Sequence, residues 1–360
     1  MDAGSASIRG DVSSLTSTLA APYGAAELSH YTAQAAAASN FSLESGRIMR
    51  TIIASLLVMW SATSGYAQER LPIIDMHLHA YPVVQVGDQG LPNPVTGRPA
   101  SSASDAVLLR TTLAEMEKHG IILGVASGAP SHVERWRLAA PDRILAAIKV
   151  DEVSPFPNIA ELRASILQGQ VRMIGEIQAQ HLGLAPDDPA LEPYFALAAE
   201  LDVPVSIHSG IGAPNTPFEC CPAFRVSLGN PVLLEPVLIR YPGLRVNLMH
   251  AGYPYLDQTI ALMTVYPSVY ADLGAINWVI PRAEFHRYLN ALITAGLGKR
   301  LMFGSDQMYW PEVIEWAIEG VNAASFLSDD QKRDILYRNA ARFLRLGEEE
   351  IARHHGEVSR

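Results

Sequence analysis

The chain has 360 residues, 49% of them apolar and 18% charged, with 27 Lys and Arg against 37 Asp and Glu and a formal net charge of −10. That apolar fraction supplies a large core and excludes a mostly disordered chain, and the acidic balance leaves nothing to coat a phosphate backbone, so nucleic acid is not an expected partner. Two adjacent cysteines, Cys220 and Cys221, exclude a disulfide framework and a Cys-rich zinc module.

Residues 1–48 are rich in Ala, Ser and Thr, hold no Lys, and show no sustained period. The character changes at Met49-Arg50, a short positive start followed by an apolar run, Thr51 to Trp60, and a small-residue stretch ending Gly65-Tyr66-Ala67. This is the pattern of a secretory signal peptide. Its apolar core is about half of the ~20 residues a spanning helix needs, so stable membrane insertion of the mature chain is not expected. The expectation is a disordered or mis-assigned leader over 1–48, a signal peptide over 49–67, and a periplasmic or secreted mature protein. The alternative is a disordered leader followed by a buried apolar segment.

From Leu71 onward, β-rich runs alternate with stretches of helical period. The expected strands are Ile73–His79, Ile121–Ser127, Arg143–Val150, Val171–Ile177, Val203–His208, Leu244–His250, Ser268–Leu273 and Arg300–Ser305. Between them lie helical patterns such as Asp105–His119, Leu191–Leu201 and Asn230–Tyr241, and Asp329–Leu346 is expected as a closing amphipathic helix. Strict β/α alternation argues a parallel sheet with helices packed outside it. Eight units match an α/β fold of the (β/α)8 TIM-barrel type, for which about 250 residues is typical. The barrel is expected to be a single domain over 68–348, with 349–360 as a C-terminal tail. An open doubly wound sheet is the other option, but no Gly-x-Gly-x-x-Gly turn follows the first strand.

Polar residues gather where the apolar strands end. In Ile73–His79 the residues alternate, so Ile74, Met76 and Leu78 share one face and Asp75, His77 and His79 the other. The fourth strand ends with Glu176, the fifth with His208, the sixth with His250, and the eighth is followed by Asp306. In a barrel the active site lies at this C-terminal mouth. Two imidazoles two residues apart on one strand face can grip one cation; as structural histidines, both would need buried partners. Imidazole and carboxylate together suit Zn²⁺, or Mn²⁺, rather than Ca²⁺.

The Asp75-x-His77-x-His79 motif, His208, His250, Gly304-Ser305-Asp306 and the closing Asn339-Ala340-Ala341-Arg342-Phe343-Leu344 segment resemble the amidohydrolase superfamily. The likeness is to its amidohydrolase-related branch, which includes aminocarboxymuconate-semialdehyde decarboxylase-like proteins, and it runs from about Leu71 to Leu346. The resemblance implies that His77, His79, His208 and Asp306 bind a catalytic metal. It implies that His250 binds a second metal or acts beside the first, and that Asp306 also takes a proton from water. Gly175-Glu176-Ile177 is similar to TatD-type nucleases, in which this Glu bridges two metals, but Gln178-Ala179-Gln180 replaces the Gly-Leu-Asp that follows there. Glu176 is therefore either a bridging ligand of a one- or two-ion site or an acceptor that holds a ligand histidine in one tautomer.

A cation at this mouth makes hydroxide available at neutral pH and polarises a carbonyl, with Asp306 or His250 accepting the proton. The expected activity is hydrolysis of a small ester, lactone or amide. Decarboxylation or hydration of a small carboxylic acid is the alternative, and a catalytically silent metal-binding barrel a second one. Ala80–Ala103 is long enough for a lid, and Ser209–Arg225 overhangs the mouth. Arg225 and Arg282 are expected at the surface, with a substrate carboxylate as their other possible partner. Tyr309 and Trp310 line the pocket or pack on the rim. Cys220 and Cys221 are expected as reduced thiols, with a labile vicinal bridge as the main alternative and a metal-binding pair as the third, since the histidine–carboxylate set already supplies enough ligands.

Overall fold

The computed structural model describes residues 71–357 except 87–88 and 152–155. The leader and signal-peptide segments, 1–67, lie outside the described residues. Eight parallel strands follow one another in chain order around a nearly closed barrel: β1 (Ile73–His79), β2 (Ile121–Gly128), β3 (Ile144–Val150), β4 (Met173–Ile177), β5 (Val205–Ile207), β6 (Val246–Leu248), β7 (Val269–Asp272) and β8 (Leu301–Met302). Each pairs with its chain neighbour, β1 with β2 through β7 with β8. All eight expected strands are present, and those from β5 onward are shorter than the apolar runs that announced them.

The seam between β8 and β1 explains the two-residue β8. Beyond Met302 the chain stops pairing with β7 and bonds irregularly to β1: Met76 N–H donates to Phe303 O, Asp306 N–H to His77 O, and His79 N–H to Gln307 O, each at 2.8–2.9 Å. The Asp75 carboxylate accepts from the Ser305 and His77 amides, both at 3.0 Å, replacing a ladder bond with a side chain.

A principal helix follows each strand: α1 (Asp105–Lys118), α2 (Pro130–Ala139), α3 (Ile159–Leu167), α4 (Glu192–Leu201), α5 (Glu235–Arg240), α6 (Leu256–Val265), α7 (Arg282–Thr294) and α8 (Val313–Asn322), with a four-residue helix, Thr216–Glu219, also between β5 and α5. Their sequences carry the cause. Ser104 caps α1 by accepting from Val107 N–H, with Asp105 in the first turn and Lys118 in the last. In α7, Phe285, Tyr288, Leu289 and Leu292 recur at helical spacing and are all buried. The pattern at Asn230–Tyr241 resolves into a 3₁₀ turn, Pro231–Leu234, running into α5.

The closing pattern is helical throughout but not one regular helix, because a π-helical turn, Asp334–Arg338, separates Asp329–Arg333 from Asn339–Leu344. It ties to the N-terminal ends of the strands: Arg333 donates to Pro72 O, Arg342 to Lys299 O, and Asn339 to Gly298 O and Leu301 O. Within the stretch read as a tail, Glu348–His354 is a further helix whose His354 ring bonds the Tyr337 hydroxyl. No helix among the described residues is long and apolar enough to cross a membrane.

Candidate active site

Six side chains singled out in the sequence converge on the C-terminal end of the barrel. His77 and His79 complete β1, Glu176 lies in β4, His208 directly follows β5, His250 lies two residues past β6, and Asp306 four past β8. All six are buried. His250 and Asp306 hold left-handed backbone, φ 57° and 54°, at a cost of about 1–3 kcal/mol each for a non-glycine residue. Bonds from their amides offset it: Asp306 N–H reaches His77 O, and His250 N–H reaches the Asp272 carboxylate at 3.3 Å.

The centre is tight. His77 Nε2, His79 Nε2 and Asp306 Oδ1 lie 2.9–3.2 Å from one another, and His79 Nε2 lies 3.7 Å from Glu176 Oε2. Among the described residues two buried sets place one donor atom each within 4.8 Å of the others: His77, His79 and Asp306, and His77, Glu176 and His250. His208 is in neither set. Its ring packs edge-on against His250, centroids 4.8 Å apart.

The Nδ1 atoms decide what the Nε2 atoms can do. His250 Nδ1 is 2.9 Å from Gly274 O, which can only accept, so it carries a proton. His208 Nδ1 is 3.1 Å from Gln180 Oε1, whose amide nitrogen donates to Gly210 O, so it too is a donor. His77 Nδ1 bonds the Asp272 carboxylate at 3.1 Å, and His79 Nδ1 meets Ser127 Oγ at 3.1 Å. With Nδ1–H committed in His77, His208 and His250, their neutral rings keep the Nε2 lone pair for another partner. Converging imidazole nitrogens beside a carboxylate fit a divalent cation.

The charges agree. Burial opposes a charge on His77, but the carboxylates of Asp306 and Asp272 outweigh it and raise its pKa to about 10. Burial likewise opposes ionisation of Asp306, yet His77 and His79 hold it well below the usual carboxylate range. Without a cation the site therefore gathers a proton where positive charge belongs. Asp75 differs: burial dominates and lifts its carboxyl to about 7, and its Oδ2 has no hydrogen-bond partner. This is a seam residue.

Several groups escaped sequence reasoning. Asp272, at the end of β7, accepts from His77, the His250 and Gly274 amides and Asn247 Nδ2; its place at a strand end was the available signal. Gln178 donates to Glu176 Oε2 at 3.1 Å, and Gln180 orients His208. His181 stacks edge-on between His208 and Phe224. Burial pushes it down to about 4. Tyr81 stacks on His79, and Lys149 of β3 bonds its hydroxyl.

The loops bear on several of the remaining expectations. Within Ala80–Ala103, Gln85–Val86 pairs with Gln89–Gly90 in a short antiparallel ribbon, and a turn forms around Asn93. Trp310 packs on the rim, its Nε1 donating to Leu91 O, while Tyr309 faces Tyr81 with centroids 5.7 Å apart. Arg225 is spent on the Pro222 and Phe224 carbonyls. Cys220 and Cys221 are joined in a vicinal disulfide, correcting the expectation of reduced thiols. The physical reason is local: both amides donate to Thr216 O, folding the chain so that adjacent side chains meet.

Residues 74–346 match the family model described as Amidohydrolase, and the chain belongs to that family. It is 24% identical over 176 residues to Protein fluG of Emericella nidulans, a match covering 44% of this chain and 19% of that protein. Among solved structures it is similar to a probable 2-pyrone-4,6-dicarboxylic acid hydrolase from Acinetobacter baumannii (TM-score 0.53, 18% identity, 76% of this chain and 99% of that one). It is also similar to 2,6-dihydroxybenzoate decarboxylase from Rhizobium (TM-score 0.52, 15% identity, 76% and 99%). At these identities the two likenesses establish the fold alone. The family match gives the chain its place among the amidohydrolases, and its buried His, Asp and Glu sets have donor atoms close enough together to hold a metal ion.

Proposed function

We propose that the protein is a metal-dependent hydrolase of a small ester, lactone or amide. The carrying observation is the approach of His77 Nε2, His79 Nε2 and Asp306 Oδ1 to within 3.2 Å of one another, with His77 Nδ1 already bound to Asp272. A divalent cation held by these donors, most simply zinc, supplies a Lewis acid and acidifies water. One ion is the simplest filling, because the two donor sets share His77 and its single free lone pair cannot serve two ions. Asp306 is the ionised acceptor beside the His77–His79 pair, and His250 offers a second free Nε2 for a proton. Asp272, Gln180 and Ser127 orient the imidazoles.

Decarboxylation of a small carboxylic acid is the second reading. The same His77, His79 and Asp306 donors would hold the cation that this chemistry also uses. We place the mature chain outside the cytoplasm, on the signal-peptide pattern of 49–67. The test is elemental analysis of the purified protein coupled to a panel of esters, lactones, amides and β-keto or aromatic acids. Acid release with no CO₂ from the metal-loaded protein supports hydrolysis; CO₂ release instead transfers the site to the second reading.

A further inference from the structure

We propose that Tyr81, polarised by Lys149, donates a hydrogen bond to the substrate oxygen on which negative charge develops. The inference rests on the hydrolase reading and adds to it the group that meets the oxyanion.

Tyr81 lies two residues beyond His79, and its ring stacks on that imidazole with centroids 4.4 Å apart and planes at 30°. The side chain therefore borders the donor cluster. Lys149, from the end of β3, brings Nζ to 2.5 Å from the Tyr81 hydroxyl. An ammonium can only donate, so the phenolic oxygen is the acceptor and its own O–H must point elsewhere. Among the described residues no hydrogen bond takes that proton. Asp151 holds the ammonium in place, its Oδ2 at 2.8 Å, and both charges of that pair are buried.

Beside the Lewis acid of the proposed function, these neighbouring side chains offer the oxygen no hydrogen-bond donor. Asp306, Glu176 and Asp272 are acceptors, and the Nδ1–H groups of His77, His208 and His250 are committed to Asp272, Gln180 and Gly274. A substrate carbonyl needs a donor, and Tyr81 has one to spare. A phenol carries its proton at neutral pH, and with its oxygen lone pair taken by Lys149 its O–H is the group left to donate. The Lys149 bond withdraws charge from the phenolic oxygen and strengthens the outgoing O–H. As water adds to an ester or lactone carbonyl, a C–O bond forms and the π pair moves onto the carbonyl oxygen. Tyr81 stabilises that oxygen until the pair returns and the C–OR bond breaks, the leaving alkoxide taking the proton that water gave up.

The test compares wild type, Tyr81→Phe, Lys149→Met and the double variant, each checked for folding by circular dichroism and for metal content. The probes are p-nitrophenyl acetate and γ-butyrolactone for turnover, and methylphosphonate, an anion with tetrahedral oxygens, for calorimetric binding. Tyr81→Phe is expected to lower kcat about 10²-fold with little change in KM, the usual loss for one oxyanion donor. It is also expected to weaken methylphosphonate about tenfold. Lys149→Met should give a smaller loss, and the double variant should be no worse than Tyr81→Phe. Unchanged kcat and unchanged affinity in Tyr81→Phe, or no methylphosphonate binding by wild type, overturns the proposal. If Tyr81→Phe fails to fold, Lys149→Met decides, since it leaves the ring in place; unchanged affinity there is equally fatal. Should wild type bind methylphosphonate through Tyr81 yet hydrolyse neither probe, the hydrolase reading fails while the donor assignment stands.

Discussion

His77 joins the two halves of the candidate centre, with Nδ1 on Asp272 and Nε2 between His79 and Asp306. Replacing His77 or Asp306 with Ala should remove bound metal and activity together while circular dichroism stays native, because hydrophobic layers hold the barrel. Full metal occupancy by elemental analysis in both variants would end the ligand assignment. Glu176 tests the ion count. Its Oε2 accepts from Gln178 and lies 3.7 Å from His79, so under the one-ion reading Glu176→Gln should retain one ion per chain. A fall from two ions to one would restore a bridging role. His250→Asn should cost about 10²–10⁴-fold in rate, the range for a lost acid–base group, without loss of metal; release of the ion would make His250 a ligand instead.

At the scale of elements, the closing helical segment braces the short β8. Asn339 is fully buried and donates to Gly298 O and Leu301 O, the carbonyls at the entry to that strand. Asn339→Ala leaves the buried Leu301 carbonyl and the half-buried Gly298 carbonyl short of a donor, an expected loss of roughly 1–3 kcal/mol. A denaturant titration reads it as a lower midpoint at constant slope; an unchanged midpoint would mean that water replaces the amide. The first strand behaves differently from its neighbours, because its polar alternation serves two purposes. Asp75 closes the seam with the Ser305 amide, whereas His77 and His79 face the donor cluster. Sequence alternation grouped the three residues together and could not divide those duties.

For the whole molecule, the half-buried His181 contributes to the acid limb of stability. His181 has its pKa lowered by burial to about 4, so between pH 6.5 and 4 the unfolded chain binds a proton that the folded one refuses. Stability then rises with pH across that window and is lost as pH falls through it, by roughly 3 kcal/mol at most for this residue. His181→Phe, which keeps an aromatic edge against His208 and Phe224, should flatten the limb in thermal melts from pH 7 to 4. A limb as steep as wild type would refute the assignment. Export is tested separately: expressed from Met49 in a bacterium with a secretory pathway, the protein should leave the cytoplasm with Gln68 at or near its new N-terminus. A soluble cytoplasmic chain retaining 49–67 would sink that reading.

The sequence alone determined the eight β/α units, the barrel they form and the strand-end positions of His77, His79, Glu176, His208, His250 and Asp306. These follow from hydrophobic period and local spacing, which are properties of short windows. Tertiary structure decided everything that depends on pairing across the barrel. β8 ends at Met302 because Phe303–Gln307 bonds to β1, more than two hundred residues away. Asp272 became the partner of His77 because β7 ends at the same mouth as β1. The bridge at Cys220 and Cys221 required the backbone turn at Thr216. Tyr81 and Lys149 lie on different strand ends, and no local period relates them; only closure of the sheet brings an ammonium onto a phenol beside the donor cluster.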